Sequence, residues 1–156
     1  MLDRFDLLLL NRMQRDSSQT AEQLAGSVPL SPSAIARRLR RLRRDRWIVR
    51  TMALLSGRLT NDRLRALIFV TLSEHADHPG KAALQDRLLA TPEVQFVYDL
   101  AGPIDVVVMF DCPNMARFNE LTEQVLTVDS TVRRYETHFV KREVKFEPFV
   151  QLAENG

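Results

Sequence analysis

Six arginines fall within eight residues, Arg37 to Arg44, on a segment that otherwise reads as one amphipathic helix beginning at Ser31. On a helical wheel at about 100° per residue with Ile35 at zero, Leu39 and Leu42 fall beside Ile35, while Arg37, Arg40, Arg41 and Arg44 point the opposite way. One side is a core stripe and the other a cationic face. Like charges at (i, i+3) and (i, i+4) spacing repel one another, and the commonest polyanion that neutralises such a face is the phosphate backbone of a duplex. The segment therefore calls for a fold that packs one side of this helix and offers the other to DNA.

The residues before it supply such a fold. Leu2-Asp3-Arg4-Phe5-Asp6-Leu7 has the form of a helix start, with Asp3 as N-cap, Asp6 three residues on in the first turn and Leu2 placed to staple against Leu7; the helix runs to about Arg15. After the polar break Asp16-Ser17-Ser18-Gln19, a second, short helix begins with Thr20 as cap and Gln23 at the capping-box position, and stops near Gly26. Ser31 then caps the arginine-bearing helix, with Pro32 at its first position, where a missing N–H costs nothing. Three helices, the last pair joined by a tight turn, make a helix-turn-helix. Trp47 to Leu55 is rich in β-formers and predicts a short strand or extended chain, as in a winged variant.

Charge divides along the chain. Residues 1 to 50 hold eleven Lys or Arg against five Asp or Glu, and the remainder holds eleven against fifteen. That asymmetry fits a nucleic-acid module attached to a module with another task. At 156 residues and 45% hydrophobic content the chain can bury one medium core or two small ones. No apolar run, Leu7 to Leu10 included, is long enough to span a bilayer, and no signal segment opens the chain, so the expected location is cytoplasmic with no membrane partner. Cys112 is the single cysteine, which permits no internal disulfide and no cysteine metal cluster.

From Ala66 the pattern changes period. Ala66 to Leu72 reads as a strand, Pro79 to Ala90 as a helix, Val94 to Leu100 as a strand with alternating apolar residues, and Ile104 to Phe110 as another strand after the Gly102-Pro103 turn. Pro113 to Val128 is helical, with Met115, Phe118, Leu121 and Val125 on its inner stripe, and Val132 to Val140 is a fourth strand. The class is α+β: an N-terminal (winged) helix-turn-helix over 1–55, a polar linker over 56–64, and a ferredoxin-like βαββαβ domain over 65–150. Apolar stretches around Val144-Phe146 and Phe149-Leu152 are expected to add an edge strand or reach a partner subunit. Phe96, Tyr98, Phe110 and Phe118 fall at core spacing and read as packing.

This arrangement resembles the Lrp/AsnC (feast/famine) transcriptional regulators over nearly the whole chain, roughly Leu2 to Phe146. The resemblance rests on Leu2-Asp3-x-x-Asp6, the Leu30-Ser31-Pro32-Ser33 entry, Arg37-Arg38-Leu39-x-Arg41-Leu42, Ala53-Leu54-Leu55, Gly102-x-x-Asp105, and Phe139-Val140-x-x-Glu143-Val144-Lys145. It implies a sequence-specific DNA-binding protein that is a homodimer and often an octamer. Its second domain would mediate assembly and bind a small effector, usually an amino acid. Family members commonly have a glycine where this chain has Arg46, a polar or acidic residue where it has Pro103, and Pro-Gly where it has Ser130-Thr131.

In a helix-turn-helix the N-terminal residues of the second helix meet base edges while flanking residues hold phosphates. Ser33, Ala34, Arg37 and Arg38 are accordingly the candidates for base readout, and Arg40, Arg41 and Arg44 for the backbone of double-stranded DNA, with Ser31 as a cap whose neighbouring amides can hold phosphate. The competing reading is a solvated face, or arginines paired with acids elsewhere. For the effector, Gly102 lets a backbone approach a ligand and the Asp105 carboxylate can receive an amino group, with Thr137 and His138 candidates for the same interface. The competing reading is an ordinary hairpin in which Asp105 caps or is solvated. His75-Ala76-Asp77-His78 lacks a third or fourth well-placed ligand and reads as polar loop rather than a metal site. No phosphate loop, nucleophile elbow or carboxylate pair is visible, so no enzyme and no cofactor is expected. The alternative is a tetrapyrrole (sirohaem-type) decarboxylase built on the same two domains.

Overall fold

The computed structural model describes residues 1–73, 78–128 and 130–153. It falls into two units, Met1–Leu54 with Lys145–Gly156, and Leu55–Val144.

In the first unit, α1 (Arg4–Arg15) starts where Asp3 and Asp6 form a reciprocal capping box: the Asp6 N–H donates to Asp3 at 2.9 Å and the Asp3 N–H to Asp6 at 3.1 Å. Thr20 and Gln23 repeat the device at α2 (Ala21–Ala25). At α3 (Pro32–Arg44) the Ser31 hydroxyl accepts the Ala34 N–H, with Pro32 in the first turn. Each box satisfies amides that the helix itself leaves unpaired. The helices bury Leu9, Leu10 and Met13 of α1, Leu24, Val28 of the turn, and Ile35, Leu39 and Leu42 of α3. At roughly 1.5–3 kcal/mol per buried aliphatic side chain, this cluster rather than helix propensity holds the unit together.

The end of α3 is closed in an unusual residue. Trp47 N–H donates to the Leu42 carbonyl at 3.0 Å and Arg46 N–H to that of Arg43 at 3.2 Å, the paired bonds of a Schellman motif. The motif needs a left-handed residue just past the cap, and Arg46 occupies it with φ 62°. Among the described residues it is the one non-glycine with positive φ. The following segment, Val49 to Ser56, forms no strand pairing. Among the described residues its β-forming side chains have no ladder partner, so the segment is irregular chain and not a strand.

The second unit begins with a one-turn helix, α4 (Gly57–Thr60), and continues through β1 (Leu64–Leu72), α5 (His78–Ala90), β2 (Val94–Asp99), β3 (Val106–Cys112), α6 (Met115–Thr122) and β4 (Val132–Phe139). The last turn of α6 widens into a π turn, Glu123–Thr127. The sheet order is β2-β3-β1-β4 with every neighbour antiparallel. Because side chains alternate across a strand, Ala66, Ile68 and Val70 meet Phe110, Val108 and Val106 on one face, which Leu84 and Leu88 of α5 and Phe118, Leu121, Val125 and Leu126 cover. The other face carries Leu67, Phe69, Phe96, Tyr98, Val107, Met109 and His138, and neither long helix covers it.

Three expectations change. Phe110 and Phe118 are core residues, but Phe96 and Tyr98 stack on each other at 5.0 Å on the open face, with Tyr98 60% exposed. Alternation sets which side chains share a face, but not which face a helix covers. Met115 is exposed, because it lies at the first turn of α6, ahead of the buried stripe. The stretch Phe149 to Leu152 adds no edge strand to the sheet; its backbone is bonded by side chains of α1 and it groups with the first unit. His75, Ala76 and Asp77 lie outside the described residues, and His78 opens α5.

Candidate nucleic-acid interface and effector region

The tight turn between α2 and α3 is fixed by backbone bonds from Ser27 and Val28 N–H to the Leu24 carbonyl, at 3.0 and 2.9 Å, and by burial of Val28. This presents the first turn of α3 outward: Ser31 and Ser33 are exposed with their hydroxyls 3.2 Å apart, and Ala34 is half-buried. Beyond them the six arginines divide into three groups.

Arg37, Arg40 and Arg43 are exposed and, among the described residues, meet no acidic partner. Arg44 is exposed and donates to Asp45 at 2.8 Å, an interaction that lowers the Asp45 carboxyl from its usual range. Arg38 and Arg41 are turned inward. Arg38 donates to Asp3 at 2.7 Å and to Asp6 at 2.9 Å, with its guanidinium 5.6 Å from the Phe5 ring centroid, and Arg41 donates to the other oxygen of Asp6. Asp6 is fully buried. The Asp3 carboxyl is held low against the opposing effect of desolvation, by the Asp6 N–H and by Arg38.

The wheel placed Arg41 with the outward arginines, but its long side chain reaches back across to α1. Asp3 and Asp6 read from sequence only as a cap. Their second role, receiving two recognition-helix arginines, depends on how α1 crosses α3. The available signal was Arg38 itself, which falls at about 300° on the wheel, beside Leu42 rather than opposite it.

In the second unit, Gly102 and Asp105 share the β2–β3 connection. Gly102 has φ 153°, in the range that favours glycine, and an added Cβ would meet nothing within 4 Å, so the requirement is conformational and not one of space. Asp105 is bonded three ways: its N–H donates to Val70 O at 3.0 Å, its carbonyl accepts Leu100 N–H at 2.8 Å, and its carboxylate accepts Leu72 N–H at 2.8 Å. The last bond satisfies the β1 amide where the β1–β4 register shifts between Thr71 and Leu72. Thr137 and His138 do not point the same way. Thr137 pairs with Ile68 on the helix-covered face, while His138 pairs with Leu67 on the open face and meets the Phe69 ring edge-on at 5.3 Å. Within one chain, then, the turn and the two β4 residues do not converge.

At the opposite end of the sheet, Asp111 accepts from Arg63 and, at 3.0 Å, from Gln95, and Arg117 bridges Glu93 at 2.6 Å and Glu120 at 2.9 Å. The Arg117 bond holds the Glu93 carboxyl below its ordinary value. No group of three or more metal-ligating side chains is present among the described residues, and no described helix is long and apolar enough to cross a membrane.

A capped helix-turn-helix with an outward cationic helix, followed by an α+β unit with an antiparallel four-stranded sheet, defines a two-domain DNA-binding regulator. The AsnC-type helix-turn-helix domain matches residues 2–43 and the Lrp/AsnC ligand binding domain matches residues 65–149, so the chain belongs to the Lrp/AsnC family of transcriptional regulators. It is 30% identical over 145 residues to an HTH-type transcriptional regulator of Sinorhizobium fredii, covering 92% of this chain and 85% of that one. It is 29% identical over 147 residues to the leucine-responsive regulatory protein of Salmonella typhimurium, covering 92% and 87%. Among solved structures, a transcriptional regulator from Neisseria meningitidis in complex with L-Met superimposes with a TM-score of 0.83 at 26% identity, covering 99% and 98%. An AsnC family regulator from Agrobacterium tumefaciens shares the fold, with a TM-score of 0.82 at 22% identity over 96% of each chain.

Proposed function

We propose that the protein acts in the cytoplasm as a homodimer that sets two recognition helices on a two-half-site operator and is tuned by a small amino acid, with no catalytic step. The observation that carries the DNA part is the sorting of the arginines. Arg37 lies near the exposed start of α3 and is free to place its planar fork on a guanine edge, helped by Ser33 and Ala34. Arg40, Arg43 and Arg44 follow along the exposed surface and clamp phosphates, while Arg38 and Arg41 position α3 against α1 through Asp6.

The open sheet face supports the dimer. Half-buried Leu67, Phe69, Phe96 and Met109 and exposed Tyr98 form an apolar patch on this face, and a second copy of the same face would cover it isologously. A further association of dimers into an octamer would set the β2–β3 turn, with Gly102 and Asp105, at a contact between chains where a small effector can bind. The L-Met bound by the Neisseria relative supports an amino-acid effector. The relatives reported above are transcriptional regulators, which favours this reading over the tetrapyrrole decarboxylase.

The test is selection of bound fragments from random and genomic DNA by purified protein at two salt concentrations, with and without a pool of free amino acids. Enrichment of a palindromic site whose occupancy changes with the pool is expected. Absence of any enriched sequence, with no binding at moderate salt, would overturn the reading.

A further inference from the structure

Beyond Val144 the chain rejoins the first unit as an extended segment lying along α1, and its contacts have the character of a recognition site. Asn11 and Gln14 stand one turn apart on the same side of α1. Asn11 Nδ2 donates to the Leu152 carbonyl at 2.9 Å and Asn11 Oδ1 accepts the Leu152 N–H at 2.9 Å. Gln14 makes the same reciprocal pair with Val150, at 2.9 and 2.8 Å. Each amide thus stands in for one residue of a neighbouring β-strand, offering one donor and one acceptor to a residue's backbone.

The geometry explains the choice of side chains. Three helical residues rise about 4.5 Å, whereas two extended residues span about 6.6 Å, and the extra methylene of Gln14 over Asn11 lets the second pair follow the longer repeat. A carboxylate at either position would lack the donor and set a negative charge against a carbonyl. Around the four bonds, Arg15 lies over the Phe149 ring at 4.6 Å, and Leu152 packs on the cluster of Leu9, Leu24 and Ile35. The match to the family's ligand binding domain ends at residue 149, so Val150 and Leu152 lie past it.

We propose that this face of α1 is a receptor for an extended polypeptide, that its occupant is the chain's own Phe149-to-Leu152 segment, and that the docked segment is a latch. Leu54 carries the chain out of the DNA-binding unit and Lys145 brings it back, so a docked latch gives that unit two polypeptide connections to the ligand-binding domain instead of one. Two connections restrict the recognition helix more than one, and that restriction favours simultaneous engagement of two half-sites while leaving a single half-site unaffected. This last consequence rests on the dimeric reading above.

The experiment uses the full chain, wild type and Asn11→Asp/Gln14→Glu, with Asn11→Ala/Gln14→Ala as a second variant. Amide exchange reads the latch directly: Val150 and Leu152 exchange slowly in the wild type while Gln151 between them exchanges fast, and both variants speed the two slow amides at least tenfold. Unprotected Val150 and Leu152 in the wild type, or protection that survives in both variants, overturns the proposal. On DNA, the variants lose about three- to tenfold in affinity for a two-half-site duplex and less than twofold for one half-site; an equal loss on both assigns the segment a purely structural role and overturns the restriction. A wild type that binds both duplexes alike refutes the dimeric reading instead, and the exchange pattern still decides the latch.

Discussion

Replacing Asp6 by Asn keeps the shape of the buried side chain and removes its charge. In the folded protein Asp6 accepts from Arg38, from Arg41 and from the Asp3 N–H, with its own side chain 1% exposed and those of Arg38 and Arg41 22% and 38% exposed. Breaking a fully buried ion pair costs about 3–5 kcal/mol. Here Arg38 keeps Asp3 and Arg41 can turn to water, and the Asn oxygen can still accept one bond, so the expected loss is about 2 kcal/mol. The molecule provides its own reporter, because its single tryptophan, Trp47, lies in the first unit and both tyrosines, Tyr98 and Tyr135, lie in the second. With a urea m-value of about 1 kcal/mol/M for a unit of this size, the Trp47 fluorescence midpoint should fall by about 2 M while the tyrosine-reported transition stays in place. A Trp47 midpoint that moves by less than about 0.5 M would show that Asp6 does not fix the two arginines, and the sorting of the recognition helix would lose its basis.

Arg46→Gly should stabilise the first unit. A left-handed conformation costs an L-residue about 1–2 kcal/mol and glycine's extra unfolded freedom returns about 0.4–1 kcal/mol, leaving a net gain of about 0.5–1 kcal/mol that thermal unfolding monitored at Trp47 would read as a rise of a few degrees. Gly102→Ala should strain the β2–β3 turn and lower the tyrosine-reported midpoint, by about 1 kcal/mol, although no atom blocks the new methyl group; an unchanged midpoint would show that the turn adapts freely. Because Arg117 lowers the Glu93 carboxyl, that pair stabilises the second unit above the ordinary glutamate range near pH 4.3 and is lost as pH falls through the lower folded value. Glu93→Gln should therefore flatten the acid limb of the tyrosine-reported stability curve, and an unaltered limb would refute the assignment.

The helix starts were legible because capping is local: Asp3, Thr20 and Ser31 act on amides two or three residues away. The order of strands and helices along the chain follows from the change of hydrophobic period, yet that period could not say that Phe96 and Tyr98 face away from the helices. The site was legible to the extent that it depends on one helix. The exposed positions of Arg37 and Arg40 follow from the period of α3, whereas the capture of Arg38 and Arg41 depends on Asp6, more than thirty residues away. Likewise Phe149 to Leu152 carried an apolar signal, but its partners Asn11 and Gln14 are polar residues whose pairing with a distant backbone leaves no periodic trace.

Affinities of wild type and Arg37→Ala for the selected operator and for a scrambled duplex, measured across a salt series, test base readout by the free arginines most directly. Arg37→Ala should lose about 1–3 kcal/mol of discrimination, roughly 5- to 150-fold, between the two duplexes. Arg40→Ala should weaken binding to both alike and lower the salt slope by about 0.9. Equal losses on operator and scrambled DNA for Arg37→Ala would show that Arg37 reads no base edge.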